Sequence, residues 1–211
     1  MAQDNVLYCF AQSGNAYKVA LYFALTGEAW TPQFVDFFNG ETRSKAYRDT
    51  VNAMGEVPVL KRNGGMFTQS GAILSMLAEE SGHFAPEAAQ ERYEVNRWIL
   101  FDNHKFTSNY ATLRFLLSFA KTGETGATEF LRGRVKAAFK LANEHFASHE
   151  FAAADRPTIA DLSMAGYVYY PEEVGINWDD YPHLQAWKAR IAALPGWQHP
   201  YDLMPGHPLP V

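Results

Sequence analysis

The stretch "VPVLKRNGGMFTQSGAILSMLAEESG", residues 57 to 82, changes its hydrophobic period half-way, and that change decides the fold. Two short apolar runs flank Asn63-Gly64-Gly65. An Asn-Gly pair between such runs is the strongest short-range hairpin signal, because the favoured two-residue turn needs positive φ at both positions. From Ser70 the period lengthens to that of a helix, with Ser70 read as its N-cap and Gly82 as its end. Pro58 cannot donate to a sheet ladder and belongs at the first position of its strand. The segment therefore reads β-β-α.

Toward the N-terminus, "NVLYCF" (Asn5 to Phe10) reads as a short buried strand. It breaks on Ser13-Gly14, and residues 15–26 then run apolar on nearly every side until Gly27, a natural helix end. "TPQFVDF" from Thr31 gives a second strand, followed by a polar, irregular or short helical link around Arg43 to Arg48. Toward the C-terminus, strand signals stop at about Phe84. Helical patterns cover 87–120, 125–149, 158–174 and 182–194, and the proline-rich tail from Pro195 should wrap rather than form a helix. The expected architecture is an α/β domain over residues 1–83, with the order β-α-β then β-β-α, followed by an all-α domain over 87–211.

Composition narrows the function. Of 211 residues, 47% are hydrophobic and 19% charged, which describes an ordinary soluble protein. Eighteen basic against twenty-three acidic residues give a formal charge of −5, with no basic block to track a phosphate backbone, so nucleic acid is not expected as a partner. With no basic-then-apolar leader and no apolar run near ~18 residues, the expectation is a cytoplasmic protein without a membrane span. Cys9 is the only cysteine. Internal disulfides and Cys-x-x-Cys chemistry are excluded, and any redox reaction must borrow a thiol. Cys9 itself reads as buried and inert.

Several residues stand where chemistry is possible. The Val57-Pro58 bond is either a trans strand start or a cis bond that turns the Val57 backbone toward a bound peptide. Gln69 and Ser70 open a helix whose first amides lack partners, a natural carboxylate site, although Ser70 also has a plain capping role. Arg43, Lys45 and Arg48 read as a solvated link, from which one cation can reach a second carboxylate of the same ligand. His145 and His149 stand i, i+4 but have no third ligand, so no metal is expected. In "RPTIADL", Thr158 and Asp161 have the spacing of a capping box, which makes Asp161 a folding residue rather than an acid catalyst.

In order and spacing, "SGNAYKVAL", "NAMGEVPVL", "QSGAILSML" and "RPTIADLSMAGY" resemble a cytosolic glutathione transferase of the bacterial type with a serine-containing active-site loop. The resemblance spans almost the whole chain. It implies a thioredoxin-like N-terminal domain that binds glutathione and a helical C-terminal domain that shapes the pocket of the second substrate. It implies further that Val57, before a cis Pro58, pairs with the cysteinyl part of glutathione. Gln69 and Ser70 would hold the γ-glutamyl carboxylate, and Arg43 would reach the glycyl carboxylate. Phe10, Ala11, Phe106, Asn109 and Tyr110 are the candidate lining of the electrophile pocket, although an aromatic stripe at helical spacing is more often core. The family's habit implies a homodimer.

The catalytic demand can be sized. A free cysteine thiol has a pKa of about 8.5. Holding it as thiolate near neutral pH needs a shift of ~2 units, about 2.7 kcal/mol at 1.36 per unit. A hydrogen bond to a charged acceptor is worth about 1.5 to 3 kcal/mol, and a helix N-terminus adds up to ~2. Ser13 supplies the hydroxyl and the helix that follows supplies the dipole, while Asn15 can donate a second hydrogen bond. Tyr8 is the rival hydroxyl, but it precedes the turn. The expected activity is glutathione addition to a small hydrophobic electrophile, a detoxifying reaction. The Ser13-x-Asn15 pattern keeps a glutathione-dependent disulfide reductase as an alternative, and a non-catalytic binding or assembly module as a further one.

Overall fold

The chain, seen in a computed structural model that describes residues 5–209, separates into two compact units. The first runs to His83 and takes in the segment from Leu194 onward; the second is Phe84–Ala193.

In the first unit, strand β1 (Val6–Cys9) leads through a short turn into helix α1 (Gly14–Thr26), and β2 (Thr31–Phe34) returns parallel to β1. A 3₁₀ turn, Glu41–Arg43, and the short helix α2 (Lys45–Thr50) fill the polar link. Next come the hairpin strands β3 (Val59–Arg62) and β4 (Gly65–Thr68), and then α3 (Ser70–Ser81). The sheet order is β2-β1-β3-β4, with β3 antiparallel to both of its neighbours. Arg62 stands opposite Gly65, so Asn63 (φ +50) and Gly64 (φ +80) form the two-residue turn that the sequence dictates.

Helix α1 is apolar on nearly every side because it is covered all round: Ala16 to Phe23, Lys18 among them, are at most 1% exposed. The Tyr22 hydroxyl donates to the Leu77 carbonyl at 3.1 Å and meets Ser81 Oγ, which ties α1 to α3. Gly27 ends α1 at φ +69. Strand β2 is shorter than the apolar run suggests and exposed along its length, as an edge strand is. At the end of β3, Arg62 is 2% exposed and paired with Glu28 at 2.7 Å and Glu80 at 2.9 Å.

The helical unit holds α4 (Ala89–Phe101), which continues through a π-helical turn, Asp102–Phe106, into α5 (Thr107–Arg114) and a second π turn, Phe115–Phe119. The expected helix 87–120 is thus one rod with two wide turns. At the first turn the buried Asp102 carboxylate accepts hydroxyl hydrogen bonds from Thr107 and from Ser163, the latter at 2.6 Å. α6 (Gly126–Phe146) starts at a reciprocal Thr125–Thr128 cap. α7 spans only Ile159–Met164, not 158–174, because Gly166 and the proline at 171 both disfavour continuation. α8 is Pro182–Ala192.

The tail departs from expectation in two ways. It forms a short helix, α9 (Pro200–Leu203), and it belongs to the α/β unit rather than to a helical domain running to 211. Its Gly196, at φ +89, sits so close to α1 that a Cβ there would lie 2.4 Å from the Ala24 carbonyl. Residues 1–4 and 210–211, the outer ends of the two expected domains, lie outside the described residues.

The capping box at Thr158 and Asp161 forms as expected. The fully buried Asp161 carboxylate accepts from the amides of Thr158 (2.9 Å) and Ala152 (2.8 Å) and from the Trp187 indole N–H (2.9 Å). Replacing it would strand three buried donors, each costing about 1 to 3 kcal/mol. Asp161→Ala is expected to lower unfolding free energy by at least ~3 kcal/mol in a urea titration.

Candidate functional site

Strand register brings four loops to one end of the sheet. Cys9, the last residue of β1, stands opposite Phe34, the last of the parallel β2. Tyr8 stands opposite Val59, the first residue of the antiparallel β3, and Val59 opposite Thr68, the last of β4. The turn after β1 carrying Ser13, the segment after β2 leading to Arg43, the Val57-Pro58 bond before β3 and the Gln69-Ser70 step after β4 must therefore share that end.

Ser13 is the N-cap of α1, 5% exposed, with extended backbone at φ −86, ψ 102. Its Oγ accepts from the Ala16 amide at 3.2 Å, which leaves the hydroxyl proton to donate outward. Among the described residues the first intrahelical amide bond is that of Tyr17 to the Ser13 carbonyl, 2.9 Å. The Gly14 and Asn15 amides thus stay open at the positive end of a 13-residue helix. Asn15 holds its Oδ1 buried without a hydrogen-bond partner among the described residues.

The Val57-Pro58 bond is cis. Among the described residues no backbone hydrogen bond engages the Val57 amide or carbonyl. Tyr47 Oη and Asn52 Nδ2 both donate to the preceding Glu56 carbonyl at 3.0 Å, which fixes this approach to the strand. Gly55, at φ +70, is required there, since a Cβ would lie 2.8 Å from the Thr42 carbonyl and 3.0 Å from the Arg48 guanidinium.

At the start of α3 the cap is Gln69, not Ser70. Gln69 adopts φ +67, ψ 106, and its side chain makes no capping bond, donating instead to Glu56 Oε2 at 3.0 Å. Ser70 is the first helical residue and 6% exposed. The first amide to find a backbone acceptor is Ile73, on the Gln69 carbonyl at 2.9 Å, so the amides of Ser70, Gly71 and Ala72 point out of the helix. Of the three linker cations, Lys45 is engaged by Asp49, Arg48 lies against Gly55, and Arg43 is exposed at the end of its 3₁₀ turn.

Phe10 is stacked on Phe37 at 4.9 Å and meets Phe38 edge-on at 5.8 Å. Phe38, 40% exposed, is the accessible member of this cluster. The sequence reading did not single it out: Phe38 follows directly on the expected strand Thr31 to Phe37, which in the structure ends three residues earlier, at Phe34. Ala11 is fully buried and frames the turn rather than walling a pocket. Phe106 and Tyr110, offered as pocket residues, are core of the helical unit: 2% and 3% exposed, they stack on Phe139 at 4.9 and 5.7 Å. Desolvation pushes the Tyr110 hydroxyl up to about 12, so it stays protonated. The Asn109 amide is spent on the Lys105 carbonyl of its own helix at 2.7 Å.

The geometry has counterparts among known proteins. The profile described as "Glutathione S-transferase, C-terminal domain" matches residues 106–195. A maleylacetoacetate isomerase of Rhizobium meliloti (strain 1021) is 30% identical over 210 residues, covering 95% of this chain and 98% of that one. The chain belongs to the glutathione S-transferase family. A glutathione S-transferase structure from Pseudomonas fluorescens Pf-5 matches with a TM-score of 0.88 and 27% identity, covering 94% of this chain and 99% of the other. A possible glutathione S-transferase of Rhodopseudomonas palustris gives 0.87 and 30%, over 93% and 97%.

In this glutathione S-transferase family member, burial pushes the Cys9 thiol up to about 12, so it is protonated at neutral pH. Among the described residues no group of three His, Cys, Asp or Glu side chains is placed to hold a metal, and no helix is long and apolar enough to cross a membrane. The His145 and His149 rings are stacked at 4.2 Å, with His145 also against Trp98 at 4.5 Å. Burial first, then the neighbouring His149 and Arg97 charges, hold His145 below the ordinary imidazole range, against the opposing pull of the Phe151 carbonyl. As pH falls through the unfolded imidazole pKa of about 6.5, the unfolded chain takes up a proton that the folded one resists. Stability from this site is thus complete above that pH and is lost below it. His145→Gln is expected to flatten the decline in melting temperature from neutral pH toward pH ~5.5, measured by calorimetry against the parent protein.

Proposed function

We propose that this protein is a glutathione transferase in which Ser13 stabilises the glutathione thiolate for attack on a small hydrophobic electrophile. The observation that carries the reading is the Ser13 hydroxyl, which accepts from the Ala16 amide at the N-cap of α1 and has its own proton left to donate. One hydroxyl bond and one helix end together match the ~2.7 kcal/mol that ionising the thiol at neutral pH requires. The open Val57 amide and carbonyl suit the cysteinyl peptide unit. The outward amides of Ser70 to Ala72 suit the γ-glutamyl carboxylate, and Arg43 the glycyl carboxylate. Phe10 with the exposed edge of Phe38 offers an aromatic surface at the same end of the sheet. The working form is a cytoplasmic homodimer engaged in detoxification.

A second reading has its own support in the 30% identity to the Rhizobium isomerase across nearly the whole chain. The same thiolate would add to one carbon of an activated cis double bond and leave again after rotation about the new single bond, so that glutathione is regenerated. Both readings need Ser13. Disulfide reduction is a further alternative and would draw on the Ser13-x-Asn15 pattern; a non-catalytic binding or assembly module, which would turn over no substrate, is the last.

Turnover of a halogenated nitroarene, of a conjugated cis-enoate and of a glutathione-linked disulfide separates these readings. Ser13→Ala is expected to lower kcat about 100-fold at neutral pH. The loss should shrink as pH passes the free thiol value of about 8.5, because the variant then gains thiolate from solvent ionisation. An unchanged pH profile would overturn the assignment. Arg43→Ala is expected to raise KM for glutathione by about tenfold while kcat holds, since it removes binding shared by ground and transition states.

A further inference from the structure

The chain's last described residues return to the turn that carries Ser13. The Ala11 amide donates to the Pro205 carbonyl at 2.7 Å, and Gln12 Nε2 donates to the Gly206 carbonyl at 2.9 Å across a sequence separation of 194 residues. The segment is anchored before it arrives: the Tyr17 hydroxyl donates to the Gln198 carbonyl at 2.8 Å, and Gly196 abuts the Ala24 carbonyl. It is also seated sideways. Gly206, at φ +93, lies so close to the Phe34 ring that a Cβ would meet it at 2.5 Å, and Phe34 ends β2 opposite Cys9.

Within the turn the Ser13 amide donates to the Phe10 carbonyl at 3.0 Å. The bonds from Ala11 and Gln12 to the tail add a long-range restraint to a segment without regular secondary structure, the kind of backbone that opens locally at low cost. A hydroxyl that must meet a sulfur has to be held within about half an ångström, by neighbours that are themselves fixed. We propose that residues 204–206 form a positioning strap that orders the Ala11–Ser13 turn, so that tail and thiolate stabilisation are coupled. This proposal rests on the reading of Ser13 as the thiolate donor. Ala11, Gln12, Pro205 and Gly206 act through Ser13 and are not themselves catalytic.

The test uses two full-length variants: Gly206→Val, which pushes the strap off Phe34, and Gln12→Met, which deletes one strap bond at nearly constant volume. Amide hydrogen exchange, read without glutathione, is expected to speed up at least about tenfold for residues 10–13 while β3 and α3 keep their protection. With glutathione bound, the ultraviolet absorbance of the thiolate should titrate at higher pH. kcat should fall about 10- to 100-fold, with KM for glutathione held within about threefold. Unchanged exchange in both variants overturns the strap. Faster exchange with an unmoved thiolate titration also overturns it, because the turn's order would then be irrelevant to the chemistry. Ser13→Ala, run in parallel, separates the failures. An unmoved titration in Ser13→Ala sinks the thiolate reading itself, whereas a raised one there and an unmoved one in both strap variants sinks the strap alone.

Discussion

Tyr8 stands opposite Val59, and the arrangement of the proposed site follows from that pairing. A slip of one residue would turn Leu7 and Cys9, both fully buried, out of the core and send Val6 and Tyr8 inward. The core thus pins the register, and the register sets which loops share an end of the sheet. Because β1 and β2 run parallel while β3 opposes both β1 and β4, the ends of β2, β1 and β4 and the start of β3 lie together at one end of the sheet. The Ser13 turn and the Val57 backbone thereby leave adjacent strands at the same end of the sheet. The Gln69-Ser70 step is brought in by the two-residue hairpin at Asn63-Gly64, which leaves β4 no freedom in where it ends.

Two helices present their N-termini at that end, and the chain treats them differently. At α1 the cap is a serine whose oxygen satisfies one amide and whose proton remains available, so the end is partly neutralised and still able to donate. At α3 the cap position is taken by Gln69 in a left-handed conformation, with its side chain drawn away to Glu56, and the first amides are left open. The first arrangement suits a single soft anion such as a sulfur. The second suits a carboxylate, which needs several donors at once. Holding a non-glycine residue at positive φ is costly, and the bond from Gln69 to Glu56 is one contact that keeps it there.

Much of this was legible in the residues because it depends on local chemistry. Asn63-Gly64 specified a hairpin by the φ values it tolerates, Gly27 and Gly82 ended their helices, and Thr158 with Asp161 made the reciprocal cap their spacing predicts. Ser70 was misread by one position, since a serine before an apolar run looks like a cap whether it precedes the first helical residue or is that residue. Phe106 and Tyr110 were ambiguous because a helical stripe records which face is covered and not what covers it. Phe139, on a different helix, decided the matter. The two π turns left no signature in periodicity, as each comes from a single extra residue in a rod that otherwise keeps its face.

What the sequence determined by itself was the order of elements, the strand-to-helix break at Ser13 and the chemistry its hydroxyl can perform, all properties of residues within a few positions of one another. Tertiary structure alone decided that the tail after Ala193 joins the α/β unit, and that Pro205 and Gly206 hold the residues before Ser13. The physical reason lies in the bonds themselves. A backbone carbonyl accepts from any amide it meets, so no residue type announces the pairing, and only the folded path of α1, β2 and α9 brings those partners, nearly two hundred residues apart, within 3 Å.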